Sequence, residues 1–197
     1  MVNIITVDGP AGVGKGTVCK LLAKDLDAKV LNSGEIFRTV SYYLKKNNVD
    51  FENTTSIINC AENFKYKRIS SNKLYSRDID LISSKISMIP RLRKITIKIQ
   101  KDFVKLNKNR TKTIIAEGRD MGTVIFPKAN VKIFMWAKAE IRAKRRLFQV
   151  NKTQKAKEYN DILQEIVSRD MRDMVRKTAP LKPPEDSYLI DNSNLDI

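Results

Sequence analysis

Histidine is absent from the 197 residues, and cysteine occurs only twice. The missing histidine excludes serine–histidine catalysis, histidine metal ligands and phosphohistidine intermediates. Cys19 and Cys60 form no CxxC pair and have no ligand partner nearby in the sequence, so we expect two reduced, small apolar side chains. Any chemistry must therefore come from Lys, Arg, Asp, Glu, Ser, Thr and backbone amides.

Long apolar runs are also missing. No stretch reaches the roughly 18 apolar residues that a membrane-spanning helix requires. The N-terminus lacks a basic segment followed by an apolar one, so a secretory signal is not expected. Together with the reduced cysteines, these absences predict a cytoplasmic protein without a membrane partner. A length of 197 residues with 42% hydrophobic residues suits one domain that carries a mobile insert.

Acidic residues are fewer than basic ones. The chain has 38 Lys and Arg residues and 22 Asp and Glu residues, which gives a formal net charge of +16. Such a balance is typical of proteins that bind nucleic acid through its phosphates. It is equally compatible with an enzyme that handles two highly anionic nucleotides. Net charge alone does not decide between these functions.

Short apolar runs alternate with segments of helical periodicity along the chain. Strands are predicted at Asn3–Val7, Ala28–Leu31, Thr113–Ala116, Val131–Trp136 and Tyr188–Asp191. Helices are predicted at Gly14–Leu26, Gly34–Leu44, Asp80–Leu106, Ala139–Val150 and Asn160–Val175. Strands that alternate with helices predict an α/β fold in three layers, with a central parallel five-stranded sheet covered on both faces.

Two parts of the middle of the chain are harder to assign. Between Phe51 and Tyr75 the polarity rises and the periodicity weakens, with a possible hairpin turn at Ser70–Asn72. From Asp80 to Leu106 one apolar stripe faces a row of Lys and Arg, which predicts a long amphipathic helix. We expect this helix to be entered or kinked at Pro90.

A phosphate-binding loop follows the first strand. The segment fits GxxxxGK, and it has the confirming context of a strand before it and a helix behind it. Its residues are Gly9, Pro10, Ala11, Gly12, Val13, Gly14, Lys15, Gly16 and Thr17. The glycines let successive N–H groups wrap phosphate oxygens, and the helix adds its positive end. We expect this P-loop to bind ATP or GTP, with Lys15 at the β- and γ-phosphates and Thr17 on Mg²⁺.

The P-loop does not identify the phosphate acceptor, because switches, motors and kinases share it. Further segments narrow the choice. They read LNSGEIFR from Leu31, PRLR from Pro90, AEGRDMGTVIFP from Ala116, AKAEIRAKRR from Ala137, and RDMRDMVRKTAPL from Arg169. Together with the P-loop they closely resemble the bacterial cytidylate kinases over essentially the whole chain.

The resemblance implies a set of acceptor-binding residues for CMP or dCMP. They are Ser33, Arg38, Ser84, Arg93, Arg119, Asp120, Arg169, Asp173 and Arg176. Arginine suits a nucleotide dianion because its planar fork binds phosphate bidentately and keeps its charge. Asp120 stands at the base-reading position, where a carboxylate accepts from the N4 amine of cytosine. Arg169, Asp173 and Arg176 match the pentose-binding trio, with a spacing that predicts one helical face.

The same resemblance implies that ATP-Mg²⁺ is the phosphate donor, and it implies how the reaction is catalysed. The expected catalytic residues are Lys15, Arg119, Arg142, Arg145 and Arg146. The last three match a lid, about residues 142–160, whose arginines would stabilise charge on the transferring phosphoryl group. An NMP-binding insert is expected at about residues 34–107 of a single P-loop kinase domain spanning residues 1–197. Family members are usually monomers, so we expect a monomer.

Two other functions compete with CMP phosphorylation. The same fold accepts other small acceptors, such as UMP, AMP or shikimate. A basic nucleic-acid-binding protein with a vestigial nucleotide loop is the remote alternative. Its Lys and Arg are dispersed and no helix-turn-helix signature is present, so we expect no nucleic-acid partner.

Overall fold

A five-stranded sheet with helices around it forms the centre of the fold. The computed structural model describes residues 2–67, 69–151 and 158–195. The strands are β1 (Asn3–Asp8), β2 (Lys29–Asn32), β3 (Thr113–Gly118), β4 (Val131–Trp136) and β5 (Tyr188–Asp191). Their order is β2-β3-β1-β4-β5, and β1 pairs in parallel with both β3 and β4. The predicted α/β fold with a parallel five-stranded sheet is therefore confirmed.

The register of the central strands determines where the loops meet. Asp8 at the end of β1 lies opposite Gly118 at the end of β3. The P-loop and the segment that begins at Arg119 therefore both follow the carboxyl ends of neighbouring strands and start side by side. In parallel α/β sheets, ligands bind outside the carboxyl ends of the strands.

The helices largely follow the apolar periodicity. They are α1 (Lys15–Asp25), α2 (Ser33–Lys46), α3 (Thr54–Glu62), α4 (Ser71–Leu74), α5 (Arg77–Ile86), α6 (Pro90–Asn107), α7 (Ala139–Asn151) and α8 (Tyr159–Val175). A five-residue π-helix, Met121–Ile125, was not anticipated. Among the described residues, no helix is both long enough and apolar enough to cross a membrane.

Of two expectations about the middle of the chain, one was wrong and the other was confirmed only in part. The proposed hairpin turn at Ser70–Asn72 is the start of the short helix α4, where the Lys73 N–H donates to the Ser70 carbonyl at 3.1 Å. Within the helix expected from Asp80 to Leu106, a new helix does begin at Pro90, as anticipated, but the first part belongs to a separate helix, α5. Proline has no N–H and disfavours a helical residue before it, so α5 ends at Ile86 and α6 begins at Pro90.

The chain forms two compact units, which we call the sheet unit (residues 1–30 and 108–197) and the insert unit (residues 31–107). In the sheet unit, the core that lies under the P-loop includes Val7, Val13 and Cys19. In the insert unit, α2, α3, α5 and α6 enclose a separate core around Val40 and Leu44. Both cysteines are free thiols, and burial raises the pKa of Cys19 to about 12.

Candidate active site

The turn after β1 has the backbone conformation of a phosphate cradle. Gly9, Gly12 and Gly14 have φ angles of 149°, 73° and 97°, a region that other L-residues rarely adopt. A Cβ at Gly9 would lie 2.2 Å from the Met135 carbonyl oxygen, so β4 leaves no room for a side chain there. The turn runs directly into α1, whose first N–H groups have no partner within the helix. Backbone donors and a helix N-terminus thus converge on one place, as anion binding requires.

Lys15 is the buried cation of this loop. Its side chain is almost fully enclosed, and Nζ donates to the Gly9 and Pro10 carbonyls at 2.8 Å each. Burial lowers the pKa of Lys15 well below its usual range, and the Arg119 guanidinium lowers it further. Glu117 and Asp8 act in the opposite direction. A ligand that brings negative charge to this loop would favour the ammonium form.

Two oxygen-bearing side chains flank the start of α1. Thr17 is exposed on the first turn, and both carboxylate oxygens of Glu117 lie 3.7 Å from where a Cβ of Gly16 would be. Hydroxyl and carboxylate oxygens are ligands that suit Mg²⁺, which usually keeps waters and substrate phosphates as its other ligands. Among the described residues no cluster of three or more acidic, His or Cys side chains could hold a metal alone. The donor set therefore fits a Mg²⁺ ion that arrives with a nucleotide.

Glu117 was not identified from the sequence as a site residue. It lies at the end of β3 and pairs in register with Val7, one residue before the end of β1. A carboxylate at the end of a strand that neighbours the P-loop strand was the available signal. Using that signal required the strand order, which the sequence pattern does not show.

Asp8 is a second residue that the sequence did not identify. It is fully buried at the end of β1, where Oδ1 accepts the Met121 N–H at 2.8 Å and Oδ2 accepts the Gly122 N–H at 2.7 Å. Burial raises the pKa of Asp8 to about 6, which outweighs the opposing effect of these two hydrogen bonds. Asp120 raises the pKa further and Lys15 lowers it.

Asp8→Asn should change how stability depends on pH. A carboxyl group whose folded pKa of about 6 exceeds the unfolded value of 3.8 stabilises the fold below pH 4 and loses that contribution as pH rises through 6. The loss amounts to about 3 kcal/mol at 1.36 kcal/mol per pKa unit. Urea unfolding at pH 4.5 and 7.5 should therefore show wild-type stability falling relative to Asp8→Asn at the higher pH. A pH-independent difference would contradict a raised Asp8 pKa.

Four of the predicted acceptor residues form one buried charge network in the sheet unit. Arg119 Nε donates to Asp173 Oδ2 at 3.1 Å, and Arg176 Nη1 donates to Asp173 Oδ1 at 3.4 Å. Arg176 Nη2 lies 3.8 Å from Asp120 Oδ1. Burial alone would raise the pKa of Asp173, but the guanidiniums of Arg119, Arg176 and Arg169 hold it below its usual range. Two carboxylates are thus fixed between arginines, beside the P-loop lysine.

The predicted helical face of Arg169, Asp173 and Arg176 needs a correction. Helix α8 ends at Val175, and Arg176 is already extended, with φ −60° and ψ 135°. Its Nε donates to the Ala179 carbonyl at 2.7 Å, in the segment that follows the helix. Arg176 nevertheless reaches Asp173 and Asp120, so the network includes it from beyond the helix end.

Arg142 is bonded to the backbone of the P-loop. It is 4% exposed, and its guanidinium donates to the Ala137 and Ala11 carbonyls at 2.8 and 2.9 Å and to Asp170 Oδ2 at 2.5 Å. Asp170 Oδ1 in turn accepts the Ala11 N–H at 3.2 Å. The two residues therefore hold both backbone groups of Ala11. The predicted catalytic role of Arg142 stays a prediction, and these contacts assign it a structural one.

The other two predicted lid arginines differ in their surroundings. Arg145 Nη2 donates to the Asn192 carbonyl at 2.7 Å, which ties α7 to the segment after β5. Arg146 is exposed on the same helix. The lid predicted at about residues 142–160 includes residues 152–157, which lie outside the described part of the chain. Its described portions belong to α7 and α8.

The insert unit holds four more of the predicted acceptor residues, in two groups. Arg38 forms an ion pair with Asp80 at 2.8 Å and lies over the Tyr75 ring, 4.8 Å from its centroid. Ser33 is buried at the start of α2.

Ser84 and Arg93 form the second group. Arg93 is 3% exposed, and its Nη1 donates to the Ser87 carbonyl at 3.1 Å. Ser87 Oγ in turn donates to the Ser84 carbonyl at 2.8 Å. The guanidinium of Arg93 also lies 5.7 Å from the centroid of the Phe37 ring. A short chain of contacts thus links Arg93, through Ser87, to the end of α5.

Comparison with known proteins agrees with this geometry. The family model described as Cytidylate kinase matches residues 5–197. A cytidylate kinase of Mycoplasmopsis synoviae is 38% identical, covering 98% of this chain and 92% of its own. One from Vibrio parahaemolyticus is 36% identical, covering 98% and 90%. The crystal structure of TT1252 from Thermus thermophilus aligns with a TM-score of 0.51 at 14% identity, covering 98% and 90%, which shows a shared fold.

Proposed function

Because the chain belongs to the cytidylate kinase family, we propose that it transfers the γ-phosphoryl group of ATP to CMP or dCMP, giving ADP and CDP or dCDP. The observation that carries the proposal lies in the sheet unit. A complete P-loop, with its buried lysine, lies beside a network of two arginines and two carboxylates. The loop suits a polyphosphate, and the network suits a small polar anion.

ATP is the proposed donor. Backbone N–H groups of the P-loop would surround its phosphates, and Lys15 would leave the Gly9 and Pro10 carbonyls to bind phosphate oxygen. Mg²⁺ would neutralise charge on the phosphates, with Thr17 and Glu117 as the side chains that hold it. Both side chains offer oxygen donors at the start of α1.

The acceptor would be recognised at both of its ends. Arg119, Arg169 and Arg176 supply cations beside Asp173 and Lys15, which suits the phosphate and pentose of a nucleotide. Asp120 would accept a hydrogen bond from the cytosine N4 amine, whereas uracil presents a carbonyl there. Ser33, Arg38, Ser84 and Arg93 of the insert unit are further residues that we propose bind the acceptor. Uracil would place its carbonyl oxygen against the buried Asp120 carboxylate, and two acceptors facing each other disfavour binding.

The reaction needs no general base. The second pKa of a phosphate monoester is about 6, so the attacking oxygen is already ionised at pH 7. The protein's task is then to position two anions in line and to stabilise charge on the transferring group. Lys15 and Arg119 are suited to this task, and Arg145 and Arg146 are proposed to join them from the lid. A monomeric state and a cytoplasmic location belong to the same proposal.

Asp120→Asn tests how the base is read. The amide keeps the shape of the side chain but replaces one acceptor oxygen with a donor, which favours uracil over cytosine. We expect the ratio of kcat/KM for CMP to that for UMP to fall about tenfold or more, the effect of one hydrogen bond to a charged group. Steady-state rates with saturating ATP-Mg²⁺ measure this ratio.

Asp186→Asn is the matched control for this test. Asp186 is an exposed carboxylate of the same unit that pairs with Lys132 at 2.7 Å, so both rates should stay unchanged. If Asp120→Asn lowers the CMP and UMP rates equally, Asp120 does not read the base.

A further inference from the structure

The Asp8 carboxylate accepts hydrogen bonds from two successive backbone N–H groups, which belong to the two residues that follow Asp120. Each oxygen of Asp8 accepts one of them, from Met121 at 2.8 Å and from Gly122 at 2.7 Å. Asp8 is 0% exposed, and it belongs to β1, the central strand of the sheet. The central strand of the sheet is therefore bonded directly to the segment that carries Arg119 and Asp120.

The same segment is restrained from its other side. The Asp120 carbonyl accepts the N–H groups of Val124 at 2.9 Å and Ile125 at 3.1 Å, which closes the π-helix. Gly122 is packed so tightly that an added Cβ would lie 2.8 Å from Pro184 and 2.9 Å from Thr6 Oγ1. The π-helix and Asp8 together leave the backbone at Asp120 little freedom to rotate.

We propose that Asp8 is a positioning residue for the acceptor. Its paired hydrogen bonds determine the direction in which Arg119 and Asp120 present their side chains, and its own carboxylate touches no substrate. The inference rests on the proposed function for the identity of the acceptor. The hydrogen-bond clamp itself does not depend on which acceptor is bound.

Replacing Asp8 by asparagine would remove its negative charge and one of its two acceptor oxygens. Lys15 of α1 and Asp120 at the start of the π-helix are the charged groups that act on its pKa. Asparagine preserves the shape but has one acceptor oxygen, so its NH₂ group would meet one of the two backbone donors. One N–H would lose its partner and the segment after Asp120 would shift.

Asp8→Asn and Thr6→Val are the variants that test this proposal. Thr6 lies two residues earlier on β1, also beside Gly122, and its buried hydroxyl has no hydrogen-bond partner among the described residues. Thr6→Val therefore changes the packing of the same place without removing a bond. We expect Asp8→Asn to raise the KM for CMP about tenfold or more, the loss of one bond to a charged group, with the KM for ATP changed much less. Thr6→Val should leave both KM values unchanged.

Amide NMR spectra of the ¹⁵N-labelled protein give a readout that does not depend on catalysis. The Met121 and Gly122 amide protons should resonate downfield in the wild type and in Thr6→Val, and at least one should move upfield in Asp8→Asn. Unchanged amide shifts, or KM values for CMP and ATP that rise equally, would overturn the proposal. If the wild type does not phosphorylate CMP, the proposed function fails, and the same comparison with the acceptor that is used decides the role of Asp8.

Discussion

Lys15→Ala should lower kcat about 10³-fold or more, because it removes the cation that the P-loop presents to the transferring phosphates. The fold should survive. Lys15 is buried with a pKa well below its usual range, so the folded state already disfavours its charge. Alanine removes that unfavourable burial together with two hydrogen bonds to Gly9 and Pro10. Single-turnover rates with saturating CMP and ATP-Mg²⁺, together with a thermal unfolding curve, measure both expectations.

Lys20→Ala is the matched control, since Lys20 is an exposed lysine of the same helix α1. Its kcat should equal that of the wild type. A Lys15→Ala variant that keeps more than a tenth of the wild-type kcat would show that the P-loop lysine does not stabilise the transferring group.

Arg142→Ala should produce the largest loss of stability, about 3–5 kcal/mol, the usual effect of leaving a buried charge unpaired. Arg142 and Asp170 are 4% and 6% exposed and form a direct ion pair. Removing the guanidinium leaves the Asp170 carboxylate without its ion-pair partner and the Ala11 carbonyl without this hydrogen bond. Because Ala11 belongs to the P-loop, we also expect the KM for ATP to rise. Urea unfolding at pH 7.5 and steady-state kinetics at a temperature where the variant remains folded test the two effects.

Lys144→Ala provides the comparison for Arg142→Ala. Lys144 is exposed on the same helix α7, and surface substitutions of this kind usually change stability by less than about 0.5 kcal/mol. If Arg142→Ala is as stable as Lys144→Ala but turns over much more slowly, Arg142 acts in catalysis and does not brace the loop.

Local sequence predicts the P-loop and the main elements well. The conformation of residues 9–17 depends on closely spaced glycines and on a helix that begins at Lys15, and both are visible in a single stretch of chain. The strands Val131–Trp136 and Tyr188–Asp191 have the predicted bounds for the same reason. Pro90 itself predicted the start of α6. The sequence pattern did not predict that α5 would end as a separate helix at Ile86.

Long-range pairing explains what the sequence did not reveal. Asp8 and Glu117 lie on strands more than 100 residues apart, and their roles follow only from the parallel register of β1 and β3. Arg176 lies beyond the helix end, where it bonds to the Ala179 carbonyl, and helical spacing does not anticipate this. Arg142 looked like a lid arginine, and its burial against Asp170 depends on the packing of α7 on α8. Each of these contacts joins residues that no local pattern connects.

The most direct test of the central claim is an acceptor panel. ADP release from ATP-Mg²⁺ should be measured at fixed enzyme concentration with CMP, dCMP, UMP, AMP and shikimate, and the product identified by chromatography. We expect CMP and dCMP to have the highest kcat/KM, with CDP or dCDP as the product. A clear preference for UMP, AMP or shikimate would contradict the account, as would the absence of phosphoryl transfer to any of them.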